Sequence, residues 1–479
     1  MATLPMRTDC DIASGDLVDW TSGRWLDTPP AAVSGISLDS RAVTPGDMFV
    51  ALPGTAHDGH GFIRDASNRG ATAAVVARSD AGMELPRLLV RDTLEALSRL
   101  ASHWRAGFPG SVAALTGSVG KTTVKDMAAA ILTEAGPTAA TAGNFNNSTG
   151  VPLTLLSLRS HHRFAVVEIG MSFAGEIRAL VPLVRPQVGA VTNVRPVHLE
   201  NFSNLSEIAR AKAEILDGIQ PDGVAVLNAD DQLVRSMALR RDIRRITFGM
   251  DPSASVRLSL NARTGVDFQT FSLCWGGTDV PVTLRVPGAH NRMNAAAAAA
   301  IAIASGATAD HVARGLAAFE PSPLRSRLVR LLDGSIILED CYNASPDALM
   351  AALCTIAELP VAGRRVVAMA DMRELGASSA EYHREIGARA AALGIGMLLG
   401  FGPLSGHTVQ EYSRQAPHGI GVHVGTAEEM IDLLIADHRH GDVILVKGSR
   451  AMRLERVSAA VIARFSPAPH PDKPSTRGT

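Results

Sequence analysis

Short apolar runs alternate with amphipathic stretches along most of the chain. Met48–Leu52, Ala71–Ala77 and Leu88–Val90 read as buried strands, with helical patterns at Phe62–Arg69 and Thr93–Trp104. A second series follows. Val112–Leu115, Phe164–Gly170, Val188–Val194 and the run from Val224 are strands, and Val124–Ala135 and Leu205–Gly218 are helices. Short alternating strands then run from Arg244 to Val286, and an alanine-rich helix ends at Ser305-Gly306. In the last third, Ser335–Leu338, Val366–Ala370, Met397–Phe401 and Val443–Val446 are strands, with helices after the first and last and at Ala427–Ala436. Strand–helix alternation of this kind predicts an α/β protein with mostly parallel sheets. Three domains are expected: a small α/β unit over 1–108, a central phosphate-loop ATPase-like parallel sheet over 109–320, and a Rossmann-like doubly wound sheet over 321–465. The stretch 466–479, rich in Pro, Ser and charge, reads as a disordered tail.

Thr116–Lys125 interrupts this pattern with chemistry. Strand, Gly-Ser-Val-Gly-Lys-Thr-Thr and helix follow one another, as in a phosphate-binding loop. Gly117 and Gly120 let the backbone turn tightly around Ser118 and Val119 and aim N–H groups at phosphate oxygens. Lys121 supplies a point charge, the Thr122 hydroxyl suits Mg²⁺, and Thr123 continues into the helix. The general pattern has a glycine where Leu115 stands, so this loop is a short form.

Polar residues gather at the expected carboxyl ends of the strands. Glu168 ends an apolar strand, where a carboxylate commonly holds magnesium in phosphate-loop folds. Asn146 and Asn147 lie in an Asn- and Gly-rich loop suited to a polar ligand, or to a plain Asx turn. Lys212 shares a helix face with Ile208, Ile215 and Leu216. Composition alone reads it as a lysine snorkelling from the stripe's edge. Desolvation would instead favour a neutral amine able to add CO₂ as a carbamate. His198 follows a strand end, and a lone loop histidine carries little. Asn291 and Asn294 read as a helix cap or an adenine contact. Asp39, Ser40 and Arg41 alone read as a solvated turn.

Composition narrows the classes. With 46% hydrophobic and 19% charged residues, the chain reads as a soluble globular protein. A net charge of −1 argues against a nucleic-acid binder. No signal peptide is read at Met1–Ile12, and no apolar run reaches bilayer length, so no membrane insertion is expected. Cys10, Cys274, Cys341 and Cys354 lack metal-ligand spacing and read as reduced thiols of a cytoplasmic protein.

Taken together, the motifs resemble the Mur ligases of bacterial cell-wall synthesis, over about Gly35 to Val457. The resemblance rests on Ser-x-Asp-Ser-Arg41, the Gly117 loop, Gly143-Asn-Phe-Asn-Asn147, Glu168-Ile-Gly, His198-Leu-Glu-Asn-Phe, Ala211-Lys-Ala-Glu-Ile, Gly288-Ala-His-Asn291, Asp340-Cys-Tyr-Asn-Ala-Ser-Pro346, Asp371-Met-Arg-Glu-Leu-Gly and Lys447-Gly-Ser-Arg. It implies an ATP-dependent amide ligase, in the branch that adds D-alanyl-D-alanine to UDP-N-acetylmuramoyl-tripeptide through an acyl phosphate, acting as a monomer. A third domain closing over the site is implied as well. By motif, Gly117 to Thr123 look like the ATP loop, with Lys121 catalytic. Thr122 and Glu168 look like ligands of one Mg²⁺. His198 and a carbamylated Lys212 look like the second magnesium site and part of the catalytic set. Asn291, Arg327, Asp340, Tyr342 and Asn343 look like nucleotide contacts. Asp39, Ser40 and Arg41 match the UDP side, and Asn146 and Asn147 the substrate loop. Four positions depart from the family pattern: Ser326 for Gly, Ser345 for Asn, Ala370 for Gly and Val197 for Ala. A sister ligase for a diamino acid, which often carries Asp-Asn-Pro-Arg, and a nucleotide-binding regulator without ligase activity are the competing readings.

Overall fold

The computed structural model describes residues 6–466, apart from 55–56, 81–83, 260 and 361–362. The tail read at 466–479 lies outside them except for Ser466. Two compact units form. One takes residues up to Val194, Ser206–Val256 and Ala297–Gly315; the other takes Arg195–Leu205, Arg257–Ala296 and residues from Leu316 on.

The first unit begins with β1 (Arg7–Ala13), β2 (Arg24–Trp25), β3 (Ala32–Ser37), β4 (Asp47–Val50), β5 (Ala73–Val76) and β6 (Arg87–Leu89). Their order is β1-β3-β4-β5-β6-β2, with β3 to β6 parallel and β1 and β2 antiparallel at the edges. The apolar pattern locates β4, β5 and β6 but not β1 to β3. In β1 only alternate residues, Thr8, Cys10 and Ile12, are buried, so its apolar signal is thin. Arg7 and Asp47 form a two-pronged ion pair across this sheet.

The same unit holds β7 (Ser111–Thr116), β8 (Thr138–Ala140), β9 (Phe164–Glu168), β10 (Val188–Val191), β11 (Val224–Asn228) and β12 (Arg244–Gly249). They run parallel in the order β12-β11-β10-β7-β9-β8. The chain leaves β7 toward β8 and β9 on one side and returns to β10 on the other. That reversal makes the carboxyl end of β7 a topological switch point, where doubly wound sheets open a crevice. Thr116, Glu168, Val191 and Asn228 end the strands around it.

Val256–Leu258 forms a short strand, β13. In the second unit, β14 (Arg263–Thr264), β15 (Gln269–Trp275) and β16 (Thr278–Leu284) make an antiparallel meander. The last sheet contains β17 (Arg327–Arg330), β18 (Ile336–Glu339), β19 (Arg365–Ala370), β20 (Met397–Phe401), β21 (Ile420–Val424) and β22 (Val443–Lys447). Its order is β17-β18-β22-β19-β20-β21, parallel except for β17. Residues one apart feed opposite cores. Val367, Met369 and Leu445 pack with the helices at 346–358 and 379–392, and Val366, Ala368 and Ile444 with those at 427–436 and 455–465. Strands buried on both faces read as continuous apolar runs, which is why this sheet is legible in the sequence.

Candidate functional site

Lys121 begins the helix that follows β7, so Lys121, Thr122 and Thr123 form its first turn rather than a loop preceding it. Gly120 sits at φ +79°, where a side chain is strained. Gly117 is required for another reason: a Cβ there would lie 1.9 Å from Thr192 Oγ1. Leu115, the residue in place of the usual first glycine, is fully buried in β7 and pairs with Glu168 and Ala190.

The N–H groups of Ser118 and Val119 donate to Asn193 Oδ1 (3.1 and 3.0 Å), and Asn193 Nδ2 donates back to the Val119 carbonyl (2.9 Å). Two of the loop amides expected to face phosphate are therefore turned toward a carboxamide. The first-turn N–H groups of Thr122 and Thr123, which have no i−4 carbonyl in the helix, are the donors aimed along its axis. Lys121 Nζ donates to the carbonyls of Gly117 (2.9 Å) and Ser118 (3.3 Å), holding its charge at the loop.

Glu168 ends β9 beside this loop. It is 1% exposed. Oε1 accepts from Asn146 Nδ2 at 2.6 Å, and Oε2 is buried with no hydrogen-bond partner. A half-satisfied buried carboxylate calls for a cation or another donor. Among the described residues no group of three His, Cys, Asp or Glu side chains converges. A hard cation such as Mg²⁺ needs only one or two protein carboxylates, taking its other ligands from phosphate and water. Thr122, 4% exposed, supplies a hydroxyl from the first turn of the helix that follows the loop. Asn147 turns away from Glu168: its Oδ1 accepts from the N–H of Gly150 and the N–H and hydroxyl of Thr149.

Lys212 lies in the same unit and is fully buried rather than at the edge of its stripe, with Ile208 and Ile215 both 0% exposed beside it. Among the described residues no carboxylate pairs with it. Burial, reinforced by the nearby Lys121 charge, drives its amine well below the usual lysine range. Its helix neighbour Glu214 does structural work, accepting from the N–H groups of Gly175 and Arg178.

The N-terminal sheet carries Asp39, Ser40 and Arg41 in a short 3₁₀ turn after β3. The Arg41 guanidinium forks onto Asp39, which holds that carboxyl below its usual range. Ser40 and Arg41 line a concavity of about 400 Å³ together with Asp65, Asn68 and Arg69.

The remaining expected residues lie in the second unit. His198, at φ +54°, pairs through Nδ1 with Glu374 Oε2 at 2.7 Å. Asn291 Nδ2 donates to the Pro287 carbonyl (2.7 Å) and its Oδ1 accepts from Asn294 (3.0 Å), so its amide is held in its own helix's first turn. Around the end of β18, Asp340 Oδ1 accepts from the Ser326 N–H and Oδ2 from Lys447 Nζ. Lys447 also donates to the carbonyls of Asp340 and Asn343, tying the end of β22 to that of β18. Tyr342 has the Arg325 guanidinium 4.0 Å and the Arg450 guanidinium 5.9 Å from its ring centre. Arg327 pairs with Glu339. Half-buried His290 stays neutral, because burial holds its imidazole down to about 4 against the pull of Asp340.

Three family profiles match the chain: "Mur ligase family, catalytic domain" over 32–105, "Mur ligase middle domain" over 115–302 and "Mur ligase, glutamate ligase domain" over 325–450. The chain is 38% identical over 456 residues to UDP-N-acetylmuramoyl-tripeptide–D-alanyl-D-alanine ligase of Escherichia coli K12, covering 94% of this chain and 98% of that protein. The chain belongs to the Mur ligase family. Among solved structures, MurF from Acinetobacter baumannii superposes with a TM-score of 0.86 at 31% identity, covering 95% of this chain and 99% of that one. MurF from Thermotoga maritima in complex with ADP gives 0.79 at 28% identity, over 89% and 97%. In this Mur ligase, the expected site residues are held by others to which the motifs assigned no role, although Glu374 and Lys447 lie inside two of those motifs. Asn193 and Thr192 brace the glycine loop, Lys447 binds Asp340, and Glu374 holds His198. A polar residue that closes an apolar run, as Lys447 closes β22, is the signal that could have found one of them.

Proposed function

We propose that this Mur ligase uses ATP to join D-alanyl-D-alanine to UDP-N-acetylmuramoyl-tripeptide, giving the UDP-linked pentapeptide, ADP and phosphate. The observation that carries it is the pairing of a full-length likeness to such a ligase with Glu168 Oε2, a buried carboxylate oxygen without a partner beside an intact phosphate loop. The tripeptide carboxylate takes the γ-phosphoryl group, forming a C–O–P acyl phosphate. The dipeptide's amine then attacks that carbonyl carbon, loses a proton, and phosphate leaves as the amide forms.

The chain's own groups divide the work. Within Gly117 to Thr123, the first-turn N–H groups and Lys121 hold the ATP phosphates and face the charge that builds on the transferred group, while Ser118 and Val119 tie the loop to Asn193. Thr122 and Glu168 would hold one Mg²⁺, which would screen that charge when bound. Lys212, kept neutral by burial, can add CO₂: its nitrogen bonds the carbon and a proton leaves to solvent, and the resulting carbamate would serve as a long carboxylate to hold a second Mg²⁺. His198 is assigned to that ion on family resemblance alone. Asn291, Arg327, Asp340, Tyr342 and Asn343 serve the nucleotide, Asp39, Ser40 and Arg41 the UDP end, and Asn146 and Asn147 the muramoyl substrate. Lys447 acts by positioning Asp340 and Asn343.

The segments 1–108, 109–320 and 321–465 carry the UDP, ATP and amine-substrate roles in this reading. The enzyme works as a monomer in the cytoplasm, where ATP and UDP-linked precursors meet, and gel filtration of the purified chain tests the first point. Among the described residues no helix is long and apolar enough to cross a membrane. The functional test is phosphate release from ATP and Mg²⁺. Release should require both UDP-N-acetylmuramoyl-tripeptide and D-alanyl-D-alanine. Release with a diamino acid in place of the dipeptide assigns the sister reaction, and release with neither overturns the ligase reading.

A further inference from the structure

The concavity beside Ser40 and Arg41 holds a cation that the motif does not contain. Arg41 is already engaged, since its fork closes on Asp39 through contacts of 2.9 and 2.7 Å. Arg69 lines the same concavity, and among the described residues no carboxylate lies within ion-pair distance of it. Its charge still reaches the Asp39 carboxyl, adding to the larger effect of Arg41.

The backbone at Arg69 is held in place from a distance. Arg69 follows the Ile63–Asn68 helix, and its N–H donates to the Ala66 and Ser67 carbonyls. Gly70 takes φ +96°, and a Cβ on it would stand 3.0 Å from Pro45 Cα. The Gly70 carbonyl accepts from the Gly46 N–H at 3.1 Å. The Pro45-Gly46 turn thus clamps Gly70 and fixes the residue before it beside Ser40 and Arg41 in the concavity.

We infer that Arg69 is the residue that grips the diphosphate of the UDP-linked substrate, with the Asp39–Arg41 pair acting as the scaffold that shapes the pocket. This rests on the ligase reading above. The lining favours a nucleotide over inorganic phosphate. Asp65 and Asn68 share the concavity; a carboxylate would repel a bare anion, whereas it accepts hydrogen bonds from the hydroxyls of a ribose. A guanidinium opposite it suits the phosphates.

The test uses the full chain and calorimetric titration with UDP and with uridine. Wild type should bind UDP more tightly than uridine. Arg69→Gln should weaken UDP binding roughly tenfold or more, the effect of losing one charge-assisted contact. Uridine affinity and melting temperature should be unchanged, and Arg69→Lys should recover part of the loss. Unaltered UDP affinity in Arg69→Gln overturns the inference and leaves the ligase reading standing. An equal loss of uridine affinity also overturns it, because the residue would then support the pocket rather than the phosphates. Failure of the wild type to bind UDP at all would remove the UDP assignment of this sheet together with the inference.

Discussion

Replacing Glu168 by glutamine separates the cost of the site from its use. Glu168 is 1% exposed; Oε1 has one donor, Asn146, and Oε2 has none. Glutamine keeps the volume and the carbonyl that Asn146 contacts, and replaces the orphaned anionic oxygen by a neutral amide. An unsatisfied buried neutral group costs about 1–3 kcal/mol and a charged one more, so the ligand-free protein should gain about 1–2 kcal/mol. For a unit of this size that is a rise in melting temperature of about 2–8 °C. Asn146→Ala, which strips the one donor and leaves the charge, should lower it. Ligand response should run the other way. Saturating Mg²⁺–ATP raises the wild-type melting temperature by linkage, by about 2.7 kcal/mol at a hundredfold excess over Kd. Glu168→Gln should lose most of that gain and at least a hundredfold of its activity, the scale of losing a preorganised charge contact. Differential scanning fluorimetry with and without Mg²⁺–ATP reads both. A glutamine variant that melts lower without ligand, or gains as much from Mg²⁺–ATP as wild type, would refute the reasoning.

Substitutions at Gly117, Lys212 and Ser326 test other parts of the molecule. Gly117→Ala puts a methyl 1.9 Å from Thr192 Oγ1, well inside contact distance, and should cost about 1–3 kcal/mol and weaken ATP binding. Thr192→Ala in the same chain should restore part of both, read as a double-mutant cycle by melting and ATP titration. Lys212→Met should stabilise the protein near neutral pH in CO₂-free buffer. The buried amine binds protons more readily unfolded, so wild-type stability rises with pH from its lowered value toward the usual 10.5, and the variant's advantage should shrink along that range in urea melts. With ¹³C-labelled bicarbonate, wild type should show a carbamate carbon resonance that the variant lacks, and Lys212→Ala should be inactive and partly restored by formate or acetate. Ser326→Gly should raise stability by about 1 kcal/mol, because Ser326 stands at φ +49° while its N–H bond to Asp340 does not need the side chain.

The legible parts of this fold are those in which one segment carries the whole signal. Strands buried on both faces, as in the last sheet, announce themselves as apolar runs, and the glycine loop lies within ten residues. Lys212 was visible on an apolar stripe, but sequence could not tell a stripe's edge from its centre, and here the lysine is at the centre. The unreadable parts depend on distant partners. Asn193 reaches the loop across about 75 positions, and Arg7 meets Asp47 across 40. Arg69 owes its place to Pro45 and Gly46, which no local pattern connects to it.

Three of the four departures from the family pattern yield to the same treatment, and they divide by what the replaced atom was for. Ser326 stands where a glycine is usual, in the left-handed region, so the glycine served conformation and the serine carries strain. Ala370 also stands for a glycine, but at the end of β19 with extended backbone. There a Cβ on Gly448 would come 3.0 Å from its methyl. The contact has moved onto a second glycine, in Lys447-Gly-Ser, which must stay one. Ser345 stands for asparagine at the cap of the Pro346–Glu358 helix, makes no capping bond, and leaves its hydroxyl buried and unpaired. A longer amide there would reach beyond the cap, whereas a serine with no partner does not hold the helix. Because the orphaned hydroxyl makes no capping bond, Ser345→Ala should change the melting temperature little.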